Sequence, residues 1–168
     1  MKQTIIKYGL FSLITASVLF FLALTLGKSL PYSTQEIIGY LSMITSLSFV
    51  FLGIKYFRDK ENNGKVSFGK ALVIGVLISA FAGIGFGIMD YVYTTQINPN
   101  FASEYLEKSL EVMKVSLSPE EFEIKKAELT QQMQQYGGSG FMAFIMFATV
   151  VIIGFIISLL SALFLQRK

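Results

Sequence analysis

Apolar residues fall into four long, nearly uninterrupted runs, at residues 8–26, 37–57, 68–92 and 141–165. Each is close to or above the roughly 20 residues that a helix needs to cross a hydrocarbon core. Lipid offers no partners for backbone N–H and C=O groups, so each run predicts a membrane-spanning helix. Pro31, Pro99 and Pro119 all lie in connections, and the four helices are therefore predicted to be continuous, without proline kinks. The expected fold class is all-α: an integral membrane four-helix bundle forming a single membrane domain over residues 1–168.

The polar stretches between the runs differ in kind. Residues 27–36 make a short connection. The second connection reads Arg58-Asp59-Lys60-Glu61-Asn62-Asn63-Gly64-Lys65, whose mixed charge and Asn-Asn-Gly turn chemistry suit a tight link between antiparallel helices. Residues 94–140 are longer and patterned. A helix is predicted to begin at Asn98-Pro99 and to carry Phe101, Tyr105, Leu106, Leu110 and Met113. Ser118-Pro119-Glu120-Glu121 then signals a second start, with Ser as N-cap, Pro in the first turn and Glu three residues on. Phe122, Leu129, Met133 and Tyr136 continue an apolar stripe until Gly137-Gly138-Ser139-Gly140 breaks it. The segment reads as an extracytoplasmic helical hairpin between spans three and four.

Charge orients the spans. Lys2 and Lys7 precede the first run; Lys55, Arg58, Lys60, Lys65 and Lys70 surround the second connection; Arg167 and Lys168 follow the fourth. The first connection has only Lys28. In the insertion, Lys108, Lys114, Lys125 and Lys126 are outnumbered by Glu104, Glu107, Glu111, Glu120, Glu121, Glu123 and Glu128. The positive-inside rule then predicts cytoplasmic N and C termini in a bacterial inner membrane. A cleaved signal is the rival reading of the first run, but 8–26 exceeds a signal core and Gly27-Lys28-Ser29 offers no convincing cleavage site.

Composition narrows the chemistry. Mean hydropathy is +0.59, and only 15% of the residues are charged, against about a quarter in soluble domains. With no Cys and no His, the chain has no disulfide, thiolate nucleophile, imidazole base, or imidazole or thiolate metal ligand. It has no phosphate-cradling glycine loop, nucleophile elbow or metalloprotease helix motif, and its basic residues form no nucleic-acid-binding stripe. No catalytic, cofactor-binding or metal residues are assigned, and no enzyme activity is expected.

A few residues remain as candidates. Gly75, Ser79, Gly83 and Gly87 recur every four positions in span three, and Gly154, Ser158 and Ala162 repeat the device in span four. Small residues at this spacing let helix backbones approach closely. They serve either the chain's own bundle or a face for another membrane protein. Asp90 is the one acid within the apolar runs and a candidate polar site. It lies about 30 Å along the helix from Lys70, at about 1.5 Å per residue. That depth suggests solvation at the outer headgroups, the alternative being a carboxylate covered by the hairpin. Tyr32, Tyr40, Tyr91 and Tyr93 are expected at the outer interface, Tyr8 and Tyr56 at the inner. Glu120, Glu121 and Glu123 read as a solvated helix start rather than a cation site.

Lys7-Tyr8-Gly9, Phe57-Arg58-Asp59-Lys60, Asn63-Gly64, Phe68-Gly69-Lys70-Ala71 and Gly75 form one ordered series. Tyr91-Val92-Tyr93, Ile97-Asn98-Pro99-Asn100-Phe101 and Ser118-Pro119-Glu120-Glu121 extend it. Together they resemble the domain of unknown function catalogued as number 4199, found in membrane proteins of Bacteroidetes. The resemblance covers essentially the whole chain. It implies four helices in a bacterial inner membrane and an outer helical insertion, and supplies no activity or catalytic residue. The expected function is noncatalytic: association within the bilayer or through the hairpin, with a second copy or another membrane or periplasmic protein. The alternative is a subunit of a small oligomeric transporter or channel.

Overall fold

A computed structural model describes residues 1–27 and 30–167, without the side chains of Tyr32 and Ser33. The orienting residues Lys28 and Lys168 and the interfacial reading of the Tyr32 side chain lie outside the described residues, as does Ser29. Six helices account for most of the described chain: α1 (Lys2–Leu26), α2 (Tyr32–Tyr56), α3 (Phe68–Val92), α4 (Phe101–Ser116), α5 (Pro119–Tyr136) and α6 (Ser139–Leu165). Helices α1, α2, α3 and α6 are long and apolar enough to cross a membrane, and the chain is an all-α protein of that kind. They cover the four runs apart from Phe57, starting earlier at α1, α2 and α6 where polar residues extend the helices past the apolar boundary.

The chain divides into two compact units, residues 1–89 with 145–168, and residues 90–144. The first is the bundle. Its core is apolar and small-residue, with Leu47, Val50, Ile54, Ile74, Ile78, Phe86 and Val150 fully enclosed. Of the four long helices α3 is the most enclosed and α6 the least. Outward-facing apolar side chains cover the rest, among them Ile14, Leu41, Ile44, Ile152 and Phe164. Water would make such a surface costly, whereas hydrocarbon solvates it.

The second unit holds the end of α3, both hairpin helices and the start of α6. Its helices α4 and α5 pack on one another across the two-residue link Leu117-Ser118. The capping box at Ser118 is complete. The Ser118 hydroxyl accepts the Glu121 N–H at 3.4 Å, and the Glu121 carboxylate accepts the Ser118 N–H at 3.2 Å. Helix α4 begins at Phe101, two residues after the Asn98-Pro99 signal, and the Asn98 side chain donates to the Glu104 carboxylate at 2.8 Å.

The four spans are continuous helices, and two of them run on past their apolar ends. Phe57–Glu61 and Tyr93–Ile97 widen into π-helical turns. In each, two successive residues are buried: Phe57 with Arg58, and Tyr93 with Thr94. A wider turn inserts one residue into the helical repeat, which lets neighbouring side chains share one direction. Beyond the first of these turns, Asn63 and Gly64 take the left-handed conformation, φ 51° and 78°. This is the tight turn that Asn-Asn-Gly signals.

Candidate functional site

Three features stand out from apolar packing: a seam of small residues, a buried carboxylate and a basic end. The seam joins α3 to α6. A Cβ at Gly75 would meet the Ser158 Oγ at 2.5 Å, and one at Gly154 would strike Ser79. Each glycine thus receives the serine of the opposite helix. A Cβ at Gly83 would meet Phe147 and Val151 at 2.8 and 3.1 Å. Ala71 and Ala162, which continue the four-residue rows of Gly75 and Ser158, are both wholly buried. Gly87 is buried on the same face of α3. The serine hydroxyls do not bridge the helices. Ser79 donates to the Gly75 carbonyl at 2.9 Å and Ser158 to the Gly154 carbonyl at 2.6 Å. Close backbone approach and dispersion therefore hold the seam.

The four-residue spacing does not reveal a second close-approach set. A Cβ at Gly85 would meet the Leu13 carbonyl oxygen at 2.7 Å, one at Gly9 the Phe81 ring at 2.7 Å, and one at Gly53 the Ile78 Cδ1 at 2.5 Å. Ser12 on α1 also donates to the Ser46 carbonyl of α2 at 2.7 Å. Gly85 sits two residues from Gly83, on the far side of the helix. Glycine on both faces of span three is the sequence signal that this helix is central.

Asp90, near the C-terminal end of α3, is 7% exposed, and its Oδ2 has no hydrogen-bond partner among the described residues. The expected headgroup solvation is replaced by burial within the protein. Thr94, also buried, turns its hydroxyl to the Asp90 backbone carbonyl at 2.9 Å instead of to the carboxylate. Tyr93, expected at the interface, is 3% exposed and packs edge-on to Phe101 with ring centroids 5.6 Å apart. Tyr40 and Tyr91 face outward. Among the described residues no group of three or more Asp or Glu could hold a metal ion. A lone carboxylate of this kind can take a proton or one monovalent cation, and provides no general acid–base pair.

At the other end of α3 the chain ends and the second connection converge. The Met1 amino group pairs with Glu61 at 2.6 Å. Val66 and Arg167 exchange backbone hydrogen bonds of 3.0 and 2.9 Å. Arg58, buried, donates to Asp59 at 2.6 Å and to the Leu165 carbonyl at 3.4 Å, which satisfies an orphan acceptor at the end of α6. The Lys7 ammonium lies 4.9 Å from the Tyr56 ring centroid and 5.8 Å from that of Tyr8.

The family model described as "Protein of unknown function (DUF4199)" matches residues 7–167, nearly the whole chain, and the chain belongs to that family. No curated protein and no solved structure matches it.

Proposed function

We propose that this member of the family is a noncatalytic inner-membrane protein that acts by association through its hairpin. One observation carries the reading: α4 and α5 have no buried residue, and Val115 and Val112 of α4 are 91% and 62% exposed. The facing stripes of the two helices are only half-covered, and valines on a polar helix invite a protein partner. The seam residues argue against the membrane grooves as the alternative face, because α3 and α6 already fill each other's. Both termini are cytoplasmic in this reading and the hairpin is outside. Its support is the concentration of basic residues where the termini and the second connection meet.

Photocrosslinking in cells tests the role. Probes at Val112 and Val115 are expected to capture one reproducible protein, another membrane or periplasmic protein or a second copy, while a probe at Glu128 does not. Adducts to lipid alone, or equal capture from all three positions, would contradict it. The buried Asp90 favours a second reading, a subunit of an oligomeric transporter or channel. Cation flux in liposomes that Asp90→Asn abolishes would support that reading, and its absence at every cation tried would remove it.

A further inference from the structure

The basic end of the bundle holds more positive charge than the protein uses. Nine of the fourteen Lys and Arg residues fall in positions 1–7, 55–70 and 166–168, against two of the eleven acids, Asp59 and Glu61. Both acids are engaged locally, Glu61 by the Met1 amino group and Asp59 by Arg58. Lys2, Lys7, Lys55, Lys60, Lys65 and Lys70 are exposed, and among the described residues none of them forms a salt bridge. The excess therefore faces outward, available to an external anion.

One of these lysines is set into a shaped place. Lys7 projects beside the Tyr8 and Tyr56 rings, which lie 5.5 Å apart at the junction of α1 and α2. Cation–π attraction favours an ammonium held there. One and two turns further along α1, Phe11 and Ile14 point outward, 45% and 56% exposed, and the Phe11 ring lies 6.0 Å from Phe49 of α2. A cation at the head of an apolar strip matches a molecule with a negative head and hydrocarbon tails.

We infer that this junction is a binding site for an anionic phospholipid. The headgroup phosphate sits on the Lys7 ammonium beside the paired tyrosine rings, and an acyl chain lies along Phe11 and Ile14. A free phosphate ion would gain the charge but leave the apolar strip uncovered. Basic pockets between membrane helices bind acidic headgroups by the same combination. The inference concerns the bundle alone, and it stands or falls separately from association through the hairpin.

Native mass spectrometry of the full chain in mild detergent, supplied with phosphatidylglycerol or phosphatidylcholine, tests the site. Phosphatidylglycerol is expected to be retained in preference. Lys7→Gln should weaken its retention about fivefold, the loss of one lysine near a lipid phosphate. Lys108→Gln, in the hairpin, should leave retention unchanged. Tyr56→Leu removes a ring without altering charge and should also weaken retention, a second check if Lys7→Gln purifies poorly. Equal retention of the two lipids would overturn the site. So would wild-type retention in either junction variant, or displacement of phosphatidylglycerol by millimolar inorganic phosphate.

Discussion

Gly75 and Gly154 determine how closely α3 and α6 approach, because each lies against a serine of the other helix. Adding a methyl group at Gly75 forces that serine and its backbone outward. Gly75→Ala is expected to cost about 1–3 kcal/mol of stability, in the range of overpacked cores, measured by thermal unfolding in detergent. Gly69→Ala, where the added carbon would meet no packed neighbour within 4 Å, should cost far less. Asp90 presents the opposite case, a group whose burial the structure does not compensate. An orphaned buried acceptor costs about 1–3 kcal/mol, and more when charged. Asp90→Asn is therefore expected to raise the unfolding temperature, and a fall would show that the carboxylate charge has a stabilising partner. The small residues on α3 and α6 were legible because four-residue spacing is a helical signal. The burial of Asp90 and Tyr93 was not. Counting along a straight helix gives depth in a bilayer, but no measure of protein packed around the helix end.

At the scale of elements, the hairpin was read from local chemistry and the π-helical turns were not. Ser118, Pro119 and Glu121 form the capping box that their order announces, since every contact in it lies within four residues. Ser118→Ala should cost α5 about 1 kcal/mol, seen as faster amide hydrogen exchange in its first turn. The cap is also pH-dependent. Hydrogen bonds from Ser118 hold the Glu121 carboxyl below its usual 4.5, so the stabilisation is complete above that value. It is lost as the pH falls through the lowered folded-state value, and exchange in the first turn of α5 should accelerate there. The π-helical turns at Phe57–Glu61 and Tyr93–Ile97 carry no proline or glycine to announce them. They arise where consecutive side chains are buried together, a tertiary demand that a local pattern does not contain.

At the scale of the whole molecule, four helices whose outward faces are apolar imply a hydrocarbon solvent, and charge gives that arrangement a direction. Helices α1 and α6 expose Ile14, Ile152 and Phe164, while basic residues gather where Glu61 meets the Met1 amino group and Val66 meets Arg167. In the orientation proposed above, that end is cytoplasmic and the hairpin is outside. The absence of cysteine makes this directly measurable, because any introduced cysteine is the only thiol in the protein. Asn63→Cys in the second connection and Glu123→Cys on α5 would be treated in intact spheroplasts with a membrane-impermeant maleimide. Glu123→Cys is expected to label at once, and Asn63→Cys only after the membrane is permeabilised. Labelling of Asn63→Cys from outside, or protection of Glu123→Cys until permeabilisation, would contradict that orientation.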